Sequence, residues 1–419
     1  MVGDKGRVYW GWYVVLGALL ITGINYGVRY SFGIFLKPMA QEYQWSRSVV
    51  SMGISILILV YGVGGILTGR LTDRIAPRWL ITAGAILTAA GLFLTALVRE
   101  PWQFYVTYGL LGGIGASCFG VVVCNSSVGK WFIRKRGLAI GLSSVGVGAG
   151  TMAMAPLAGY VVKVYGWQAG FILLGVFVLV FGVALSQLLM GRTRPEDYGL
   201  APDGDGPVPP AAAPAAVGGP EVVPSLGSVM RDSRFWILAV CYGLAIMAEM
   251  SALVHQVPYA LDRDIDKVAA ASSLGLLGMA SIAGRFFFGW FADRLRDAKY
   301  ASMLGFLLMI GGMLLLIRAG SVRMLMAYAL LFGFGYGNIS TMMPFLLADR
   351  FGRHLLGAAY GMLTFLCAGI GGGIGPVITG YVYDLTGSYL LAWLFNLAAL
   401  VIATVLILAL RPRSRDAAV

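Results

Sequence analysis

The amino-acid sequence predicts an all-α membrane protein with twelve transmembrane helices in two pseudo-symmetric six-helix bundles. Three observations predict this class: the apolar composition, the length of the apolar runs and an internal repeat. Of the 419 residues, 58% are hydrophobic and 12% are charged, and the mean hydropathy is +0.80. A soluble domain with such a surface would aggregate in water, so the chain is expected to lie in lipid.

Apolar runs of about 20 residues, the length a helix needs to cross the hydrocarbon core, recur along the whole chain. Twelve of them are predicted as spans 1 to 12, in order at 10–36, 48–69, 79–98, 102–127, 137–162, 167–190, 235–260, 268–292, 300–318, 322–347, 356–383 and 388–410. These runs lack the alternation of apolar and polar residues that a barrel wall requires, so helices are predicted and not strands.

A short motif occurs twice, as Gly69-Arg-Leu-Thr-Asp73-Arg74 and Gly289-Trp-Phe-Ala-Asp293-Arg294, at an offset of 220 positions. The same offset pairs Gly113 with Gly333, Gly115 with Gly335, Gly137 with Gly357, Ala139 with Ala359, Gly141 with Gly361 and Pro156 with Pro376. The chain is therefore predicted to be an internal duplication. Parallel repeats in a membrane protein are typical of a transporter whose substrate site lies between the repeats, near mid-membrane.

This repeat divides the chain into an N-terminal six-helix bundle at 1–190, a cytoplasmic linker at 191–233 and a C-terminal six-helix bundle at 234–419. The linker holds eight of the 16 prolines, a composition typical of a flexible connection. Within it, residues 225–234 are predicted to form a short interfacial helix.

The distribution of basic residues predicts the orientation of the spans. With both termini in the cytoplasm, the cytoplasmic segments hold 21 of the 31 Lys and Arg residues, and the opposite loops hold eight. The net charge of +12 follows from this topology; since the positive charges are spread over many short loops, no nucleic-acid partner is expected. The expected location is the inner or plasma membrane, as a multi-pass protein.

No cofactor, nucleotide or metal is expected. Gly129-Lys130 is followed by Trp131, which does not complete a phosphate-binding loop. The glycine-rich stretches 146–150 and 369–375 lie in apolar spans with no preceding strand, which indicates close helix packing. All four cysteines fall inside predicted spans and are interpreted as small packing residues. The spans contain no Ser-base or His-x-x-x-His pattern, so the chain is not expected to be an enzyme.

Ionisable side chains at membrane depth are candidates for function, because burying a charge is costly unless it is paired or hydrated. Arg285 comes eight residues before Asp293, about 12 Å at the helical rise, and so lies near the middle of span 8. Its guanidinium could hold a carboxylate in a two-pronged hydrogen bond, or could bond backbone carbonyls or a buried acid to fix packing. Arg29 lies in the outer half of span 1, where it could face the cavity or snorkel to the interface.

Span 7 carries two candidates for proton transfer, Glu249 near its centre and His255 in its outer third. A regular helix turns by the equivalent of about 240° over six residues, so both side chains cannot face one cavity. Ser251, His255 and Tyr259 form one polar stripe, and Glu249 with Gln256 forms another. The His255 stripe is expected to face the cavity.

The repeated Asp-Arg loops resemble the signature of the major facilitator superfamily, and they cover both halves of the chain. The segment Trp131-Phe-Ile-Arg134-Lys135-Arg136-Gly-Leu-Ala-Ile-Gly141-Leu-Ser-Ser-Val-Gly146 resembles the span-5 motif of the monocarboxylate transporter family. Trp10-Gly11-Trp12 is similar to the span-1 opening of that family, without the acidic residue that usually precedes it. The stretch from Gly27 to Pro38 resembles the bacterial oxalate/formate antiporter branch of the same group.

This resemblance implies the major facilitator fold and roles for particular positions. Arg285 matches the span-8 arginine that holds the substrate carboxylate in both branches. The aspartate that takes part in proton coupling in animal monocarboxylate carriers is replaced here by Ser281, and the second cation of the oxalate carriers, a span-11 lysine, is replaced by Cys367. One cation fewer favours a monoanion, unless Arg29 supplies the second charge.

The resemblance also assigns a set of residues to the cavity wall: Tyr30, Phe119, Tyr336 and Asn338. A further set is expected to lock the cytoplasmic ends of the two halves: Asp73, Arg74, Asp293 and Arg294.

The sequence thus predicts a secondary transporter that moves a small monocarboxylate such as lactate, pyruvate or acetate together with a proton. Arg285 would bind the carboxylate, and His255 or Glu249 would take the proton. An oxalate/formate-type exchanger is the close alternative, and a transporter-like carboxylate sensor is a more distant one. The expected partners are the carboxylate anion, the proton and the lipid bilayer, with a monomer as the functional unit.

Overall fold

The computed structural model describes residues 9–72, 75–132, 135–192, 194–195, 198–204, 226–292, 294–351 and 356–410. Within these ranges the chain is helical and has no strand. Eleven helical stretches are long and apolar enough to cross a membrane. One of them, Leu138–Leu189, breaks at Gly166, whose φ of 88° and ψ of 170° lie outside the helical region. That stretch therefore supplies spans 5 and 6, and the predicted twelve-helix membrane fold is confirmed.

The observed spans agree with the predicted ones to within a few residues at most ends. In chain order they are Trp10–Tyr43, Arg47–Leu71, Pro77–Thr95, Pro101–Trp131, the two parts of Leu138–Leu189, Ser233–Leu261, Lys267–Ala292, Lys299–Ile317, Val322–Phe351, Ala359–Thr386 and Leu390–Ala409. The predicted interfacial helix at 225–234 is present as the shorter helix Leu226–Arg231. Much of the predicted linker, residues 205–225, lies outside the described residues.

Span 1 is not one continuous helix. It consists of Trp10–Tyr30 and Gly33–Tyr43, with a break at the two residues between them. Next to this break, the Gly27 carbonyl accepts from both the Ser31 hydroxyl at 2.6 Å and the Ser31 backbone N–H at 3.2 Å. Interrupted membrane helices are found beside ligand sites, because the freed backbone groups and the bend expose polar groups at membrane depth.

Spans 4, 6 and 11 each contain a wider π-helical segment. These segments are Tyr105–Leu111, Val178–Gly182 and Phe365–Gly371. A π segment inserts an extra residue in a turn and rotates the side chains that follow it, which is a common feature of functional helices.

The first six spans pack against the last six through spans 5 and 8 and through spans 2 and 11. Small residues allow the backbones to approach closely at both contacts. A Cβ atom added to Gly278 of span 8 would lie 2.9 Å from the Gly148 carbonyl of span 5, and one added to Gly62 of span 2 would lie 3.3 Å from the Gly369 Cα of span 11. These flat, glycine-lined contacts suit helices that slide against each other.

A similar close contact joins spans 1 and 5, where a Cβ atom on Gly150 would overlap the Gly23 carbonyl oxygen. We expect Gly150→Ala to destabilise the fold by about 1–3 kcal/mol through overpacking and to lower the melting temperature in detergent by a few degrees. Gly141→Ala in the same span is the control, because nothing lies within 4 Å of its added Cβ. Equal melting temperatures for the two variants would contradict this packing.

Candidate functional site

Five polar side chains from spans 1, 7, 8 and 10 come together in the interior of the protein. We call them the central cluster: Arg29, Tyr30, Glu249, Arg285 and Tyr336. Four of them are at most 9% exposed, and Arg285 is half-buried. All five were predicted as site residues.

Arg285 points into the protein and is held at the junction of spans 5, 8 and 10. Its Nη1 donates to the Ser144 carbonyl of span 5 at 2.5 Å, and its Nη2 donates to the Tyr336 hydroxyl at 3.2 Å. Its Nε is buried and has no hydrogen-bond partner. Among the described residues, no acid forms an ion pair with it. One nitrogen thus fixes packing, a second bonds to Tyr336, and the third has no hydrogen-bond partner.

Arg29 is surrounded by aromatic rings. Its Cζ lies 4.3 Å from the ring centroid of Tyr26, 4.7 Å from that of Tyr61 and 5.2 Å from that of Tyr30. Its Nε and Nη1 are buried without a hydrogen-bond partner. The alternative that Arg29 snorkels to the interface is therefore wrong: the negative faces of the three rings stabilise the cation inside the protein.

Two small cavities flank Arg29. One, of about 20 Å³, lies inside the first six spans and is lined in part by Asn25 and Tyr108. The other, of about 10 Å³, lies between spans 1, 2 and 7 and is lined in part by Tyr30 and Met250. Each has room for about one water molecule. Neither would hold a carboxylic acid anion, so the helices beside Arg29 must separate before such a ligand can enter either of these two cavities.

Glu249 is 3% exposed and lies within electrostatic range of both Arg285 and Arg29. It also lies near the hydroxyls of Tyr30 and Tyr336. The cluster therefore contains two guanidinium charges and one carboxyl group. It carries one net positive charge when Glu249 is ionised and two when Glu249 is protonated.

His255 lies away from the central cluster, and the expectation that its stripe faces the cavity is wrong for this structure. Its Nε2 is 2.8 Å from the Pro376 carbonyl and 3.1 Å from the Ser51 hydroxyl, and its Nδ1 is 3.0 Å from the Tyr389 hydroxyl. Within the same stripe, the Tyr259 hydroxyl donates to a backbone carbonyl of span 9. These polar groups are satisfied by neighbouring helices, and Glu249 is the span-7 residue at the centre.

Three other predicted cavity residues lie in helix packing. Phe119 is fully buried against span 6. Cys367 donates its thiol hydrogen to the Ala239 carbonyl of span 7 at 3.3 Å. Asn338 donates its amide to the Gly335 carbonyl of its own helix at 2.9 Å. The contacts of these three side chains are with helix backbone or neighbouring helices and not with the central cluster.

Of the residues expected to lock the cytoplasmic ends, Asp73, Arg74 and Asp293 lie outside the described residues. Arg294 is described, and its contacts are with its own helix. Its Cζ lies 4.0 Å from the centroid of the Trp290 ring, and its Nη1 donates to the Trp290 carbonyl at 3.2 Å.

The sequence analysis did not identify Tyr26 and Tyr61, which together with Tyr30 surround the Arg29 guanidinium. Tyr26 comes three residues before Arg29, a spacing that places both side chains on one face of a helix and could have indicated the contact. The Tyr61 hydroxyl lies 3.5 Å from that of Tyr26. The contribution of Ser144 is a backbone carbonyl, which no pattern of side chains reveals.

The comparisons with known proteins agree with this architecture. The family model of the Major Facilitator Superfamily matches residues 18–376 and 299–419. The chain belongs to the major facilitator superfamily. Similar curated proteins include monocarboxylate transporter 13 of Bos taurus, which is 29% identical over 91% of this chain and 84% of that protein. Monocarboxylate transporter 2 of Homo sapiens is 26% identical over 95% of this chain and 85% of its own length. The resemblance to the monocarboxylate transporter family is thus confirmed.

Solved structures with this fold include a bacterial homolog of the human lysosomal transporter Spinster in an inward-facing, occupied conformation. Its TM-score is 0.72 at 16% identity, covering 97% of both chains. The nucleoside transporter NupG has a TM-score of 0.72 at 13% identity, covering 96% of this chain and 100% of that one. At such identities the likeness shows the fold alone. The superfamily, the homologues and the apolar helices make this chain a multi-pass membrane protein of a transporter family.

Proposed function

We propose that this member of the superfamily is a secondary active transporter of small monocarboxylates, of the size of lactate, pyruvate or acetate, that carries a proton with its substrate by alternating access. The observation that carries the proposal is the half-buried guanidinium of Arg285, which has an unsatisfied Nε and no acidic partner among the described residues. The names of the curated relatives support the same substrate class.

Arg285 is proposed to bind the substrate carboxylate through Nε and Nη2. Charge-assisted hydrogen bonds of this kind are roughly twice as strong as neutral ones. The Tyr336 hydroxyl, which accepts from Nη2 in this structure, would turn to donate to the second carboxylate oxygen. The apolar side chains of Ile54 and Met250, beside Arg29, would receive the short alkyl end of the substrate.

Glu249 is proposed to carry the proton. An ionised Glu249 balances one of the two guanidinium charges but repels a bound carboxylate, whereas protonated Glu249 leaves both cations to the substrate. Substrate and proton therefore bind cooperatively, and by linkage each raises the affinity for the other. The electrostatic interaction of Glu249 with both arginines favours it over His255 as the proton carrier.

The exchanger alternative is favoured by one observation, the two unsatisfied nitrogens of Arg29. If they bind a second anionic group, the substrate is a dicarboxylate such as oxalate, and exchange against another carboxylate needs no proton.

Uptake of labelled lactate into proteoliposomes tests the function. Under the proposal, an inward proton gradient drives lactate above its equilibrium level, and counterflow at clamped pH also proceeds. Counterflow without any effect of the proton gradient would show an exchanger. Saturable lactate binding without uptake or counterflow would support the sensor alternative.

A second test concerns Arg29. We expect Arg29→Gln to change the lactate KM by less than about tenfold, since Arg285 supplies the carboxylate contact, and to abolish any inhibition of lactate uptake by oxalate. Initial rates with increasing oxalate measure both effects, and Arg29→Lys, which keeps the charge, is the matched control. Loss of lactate binding in a correctly folded Arg29→Gln protein would assign the monocarboxylate to Arg29 instead.

The remaining topology is proposed on the same basis. Two six-span bundles, at 1–190 and 234–419, would rock about the central cluster, joined by the linker 191–233. Both termini would lie in the cytoplasm, in the inner or plasma membrane, and one chain would suffice for transport. The Asp-Arg loop residues are proposed to lock the cytoplasmic ends: Asp73, Arg74, Asp293 and Arg294.

A further inference from the structure

Polar contacts join the first and last six spans at the ends that the distribution of basic residues places outside the cell. We call this set the outer lock; it consists of Lys37, Arg47, His255, Asp262, Asp384 and Tyr389. The Asp262 carboxylate, directly after span 7, pairs with Arg47 Nη2 at 2.6 Å and with Lys37 Nζ at 2.8 Å. Arg47 begins span 2 and its side chain is 10% exposed. The Arg47 side of the pair is therefore largely shielded from solvent, and the pair links the two halves.

Asp384 adds a second link, because it caps a helix of the opposite half. Its Oδ1 accepts from the Arg47 backbone N–H and its Oδ2 accepts from that of Ser48, both at 2.8 Å. The first N–H groups of a helix have no partner within the helix and favour a negative charge. Span 2 thus has its cap on span 11 only while the outer ends are closed.

Arg47 also connects the lock to His255. Its Nη1 donates to the Tyr389 hydroxyl oxygen at 2.5 Å, and that hydroxyl lies 3.0 Å from His255 Nδ1. A continuous chain of bonds therefore runs from Asp262 through Arg47 and Tyr389 to an imidazole that is fully buried.

The acceptors around His255 define its protonation state in this closed structure. The Pro376 carbonyl, 2.8 Å from Nε2, can only accept, so Nε2 must carry a hydrogen. Tyr389 already accepts from Arg47, so its own hydrogen is free to be donated to Nδ1. A neutral imidazole with its hydrogen on Nε2 satisfies all of these bonds.

A second proton on His255 would disrupt this arrangement. It would occupy Nδ1 and face the Tyr389 oxygen, which Arg47 already uses as its acceptor. The charged groups of the lock already cancel, since Arg47 and Lys37 balance Asp262 and Asp384, and the neighbouring Tyr383 and Tyr389 are neutral. The imidazolium would therefore be a buried charge without a counter-ion, which is costly. Separation of the outer ends would relieve that cost by admitting water.

We propose that the outer lock is proton-sensitive: protonation of His255 from outside opens it, and Arg47 and Tyr389 transmit the change to the closing ion pair. The lock requires neutral His255, so the closed state is favoured at high pH and is lost as pH falls through the range where a hydrated histidine titrates, around 6.5. His255 then controls access to the site without touching the substrate. This inference concerns opening alone and does not depend on which anion is carried.

Another pair between the halves does not share this sensitivity. Lys163 of span 5 pairs with Asp266, directly before span 8, at 2.5 Å. The hydrogen bond from the Lys163 ammonium lowers the pKa of the Asp266 carboxyl, which therefore stays ionised throughout the neutral range. This pair is solvent-exposed and screened, so it adds little to closure.

Accessibility labelling tests the proposal in right-side-out proteoliposomes without substrate. The reporter is Ile54→Cys, at the cavity between spans 1, 2 and 7, in a chain whose four native cysteines are replaced by serine. The rate at which a membrane-impermeant maleimide labels this cysteine is divided by the labelling rate of Ser321→Cys, on an exposed outer loop. This ratio removes the pH dependence of the thiol reaction itself. One coupled proton allows at most about a tenfold rise per pH unit, and we expect a rise of about threefold between external pH 8 and pH 6.

Three variants sharpen the outcome. His255→Gln is expected to label at a rate independent of pH, and Tyr389→Phe, which keeps the histidine but removes the link to Arg47, should show a reduced response. Asp262→Asn should label faster than the parent at pH 8 and so prove that the assay detects opening. The proposal would be overturned if the labelling rate of the parent did not change with pH while Asp262→Asn still labelled faster than the parent. It would also be overturned if His255→Gln kept the full pH dependence of labelling. Lactate uptake plays no part in this readout, so it stands or fails separately from the proposed function.

Discussion

Arg285→Gln is expected to abolish carboxylate transport, with kcat/KM for lactate falling by at least about 100-fold. The variant loses the only positive charge that we propose touches the substrate, together with two charge-assisted hydrogen bonds, each of which contributes about 1.5–3 kcal/mol. Arg285→Lys keeps the charge but not the planar fork and should fall about tenfold. Initial rates of labelled lactate uptake measure both losses.

The matched control for this experiment is Arg318→Gln, because Arg318 is exposed directly after span 9 and is not part of the central cluster. It should transport as the parent does. Since Arg285 also holds the Ser144 carbonyl, the melting temperature without substrate must be compared first. A folded Arg285→Gln protein that still gains thermal stability from lactate would show that the carboxylate binds elsewhere.

The number and limits of the spans could be predicted because they depend only on the order of apolar and polar residues along the chain. A helix must be apolar over the thickness of the bilayer, and both the length and the composition of such a run can be read from the chain. The break between spans 5 and 6 was placed between residues 162 and 167, and the chain turns at Gly166. The division of span 1 into two helices was not predicted, since its apolar run continues through Ser31 and Phe32.

The position of a candidate residue along its helix could be predicted from the sequence, but the direction of its side chain could not. Counting residues along a helix is enough to select Arg285 and Glu249 as candidates far from the helix ends. Which face of a helix meets the cavity depends on its rotation against its neighbours. Asn338 donates to a carbonyl of its own helix, and Cys367 donates to a carbonyl of span 7. The same limitation explains why the His255 stripe was expected to face the cavity, whereas Glu249 is the span-7 residue in the central cluster.

Glu249→Gln is expected to separate transport from proton coupling. Glutamine resembles protonated glutamate, so the variant should bind lactate with similar affinity at every pH, while the affinity of the parent should fall as rising pH ionises Glu249. A symporter with one proton can accumulate its substrate up to about tenfold per unit of pH gradient. We expect the variant to stop at the equilibrium level while its counterflow persists, as steady-state accumulation and counterflow assays would measure.

Asp264→Asn is the matched control, because Asp264 is exposed after span 7 and asparagine tolerates its φ of 58°. It should accumulate lactate like the parent. If Glu249→Gln still concentrated lactate against a gradient, the proton would have to travel on another group, and His255 would be the next to replace. If instead the parent itself showed counterflow but no accumulation, the exchanger would be the correct function and Arg29 its second cation.

Because the outer lock contains no contact to Glu249, Glu249→Gln should leave the pH response of Ile54→Cys labelling unchanged. The two proposed proton sites can therefore be tested independently: His255 is proposed to control the opening of the outer side, and Glu249 is proposed to carry the proton with the substrate.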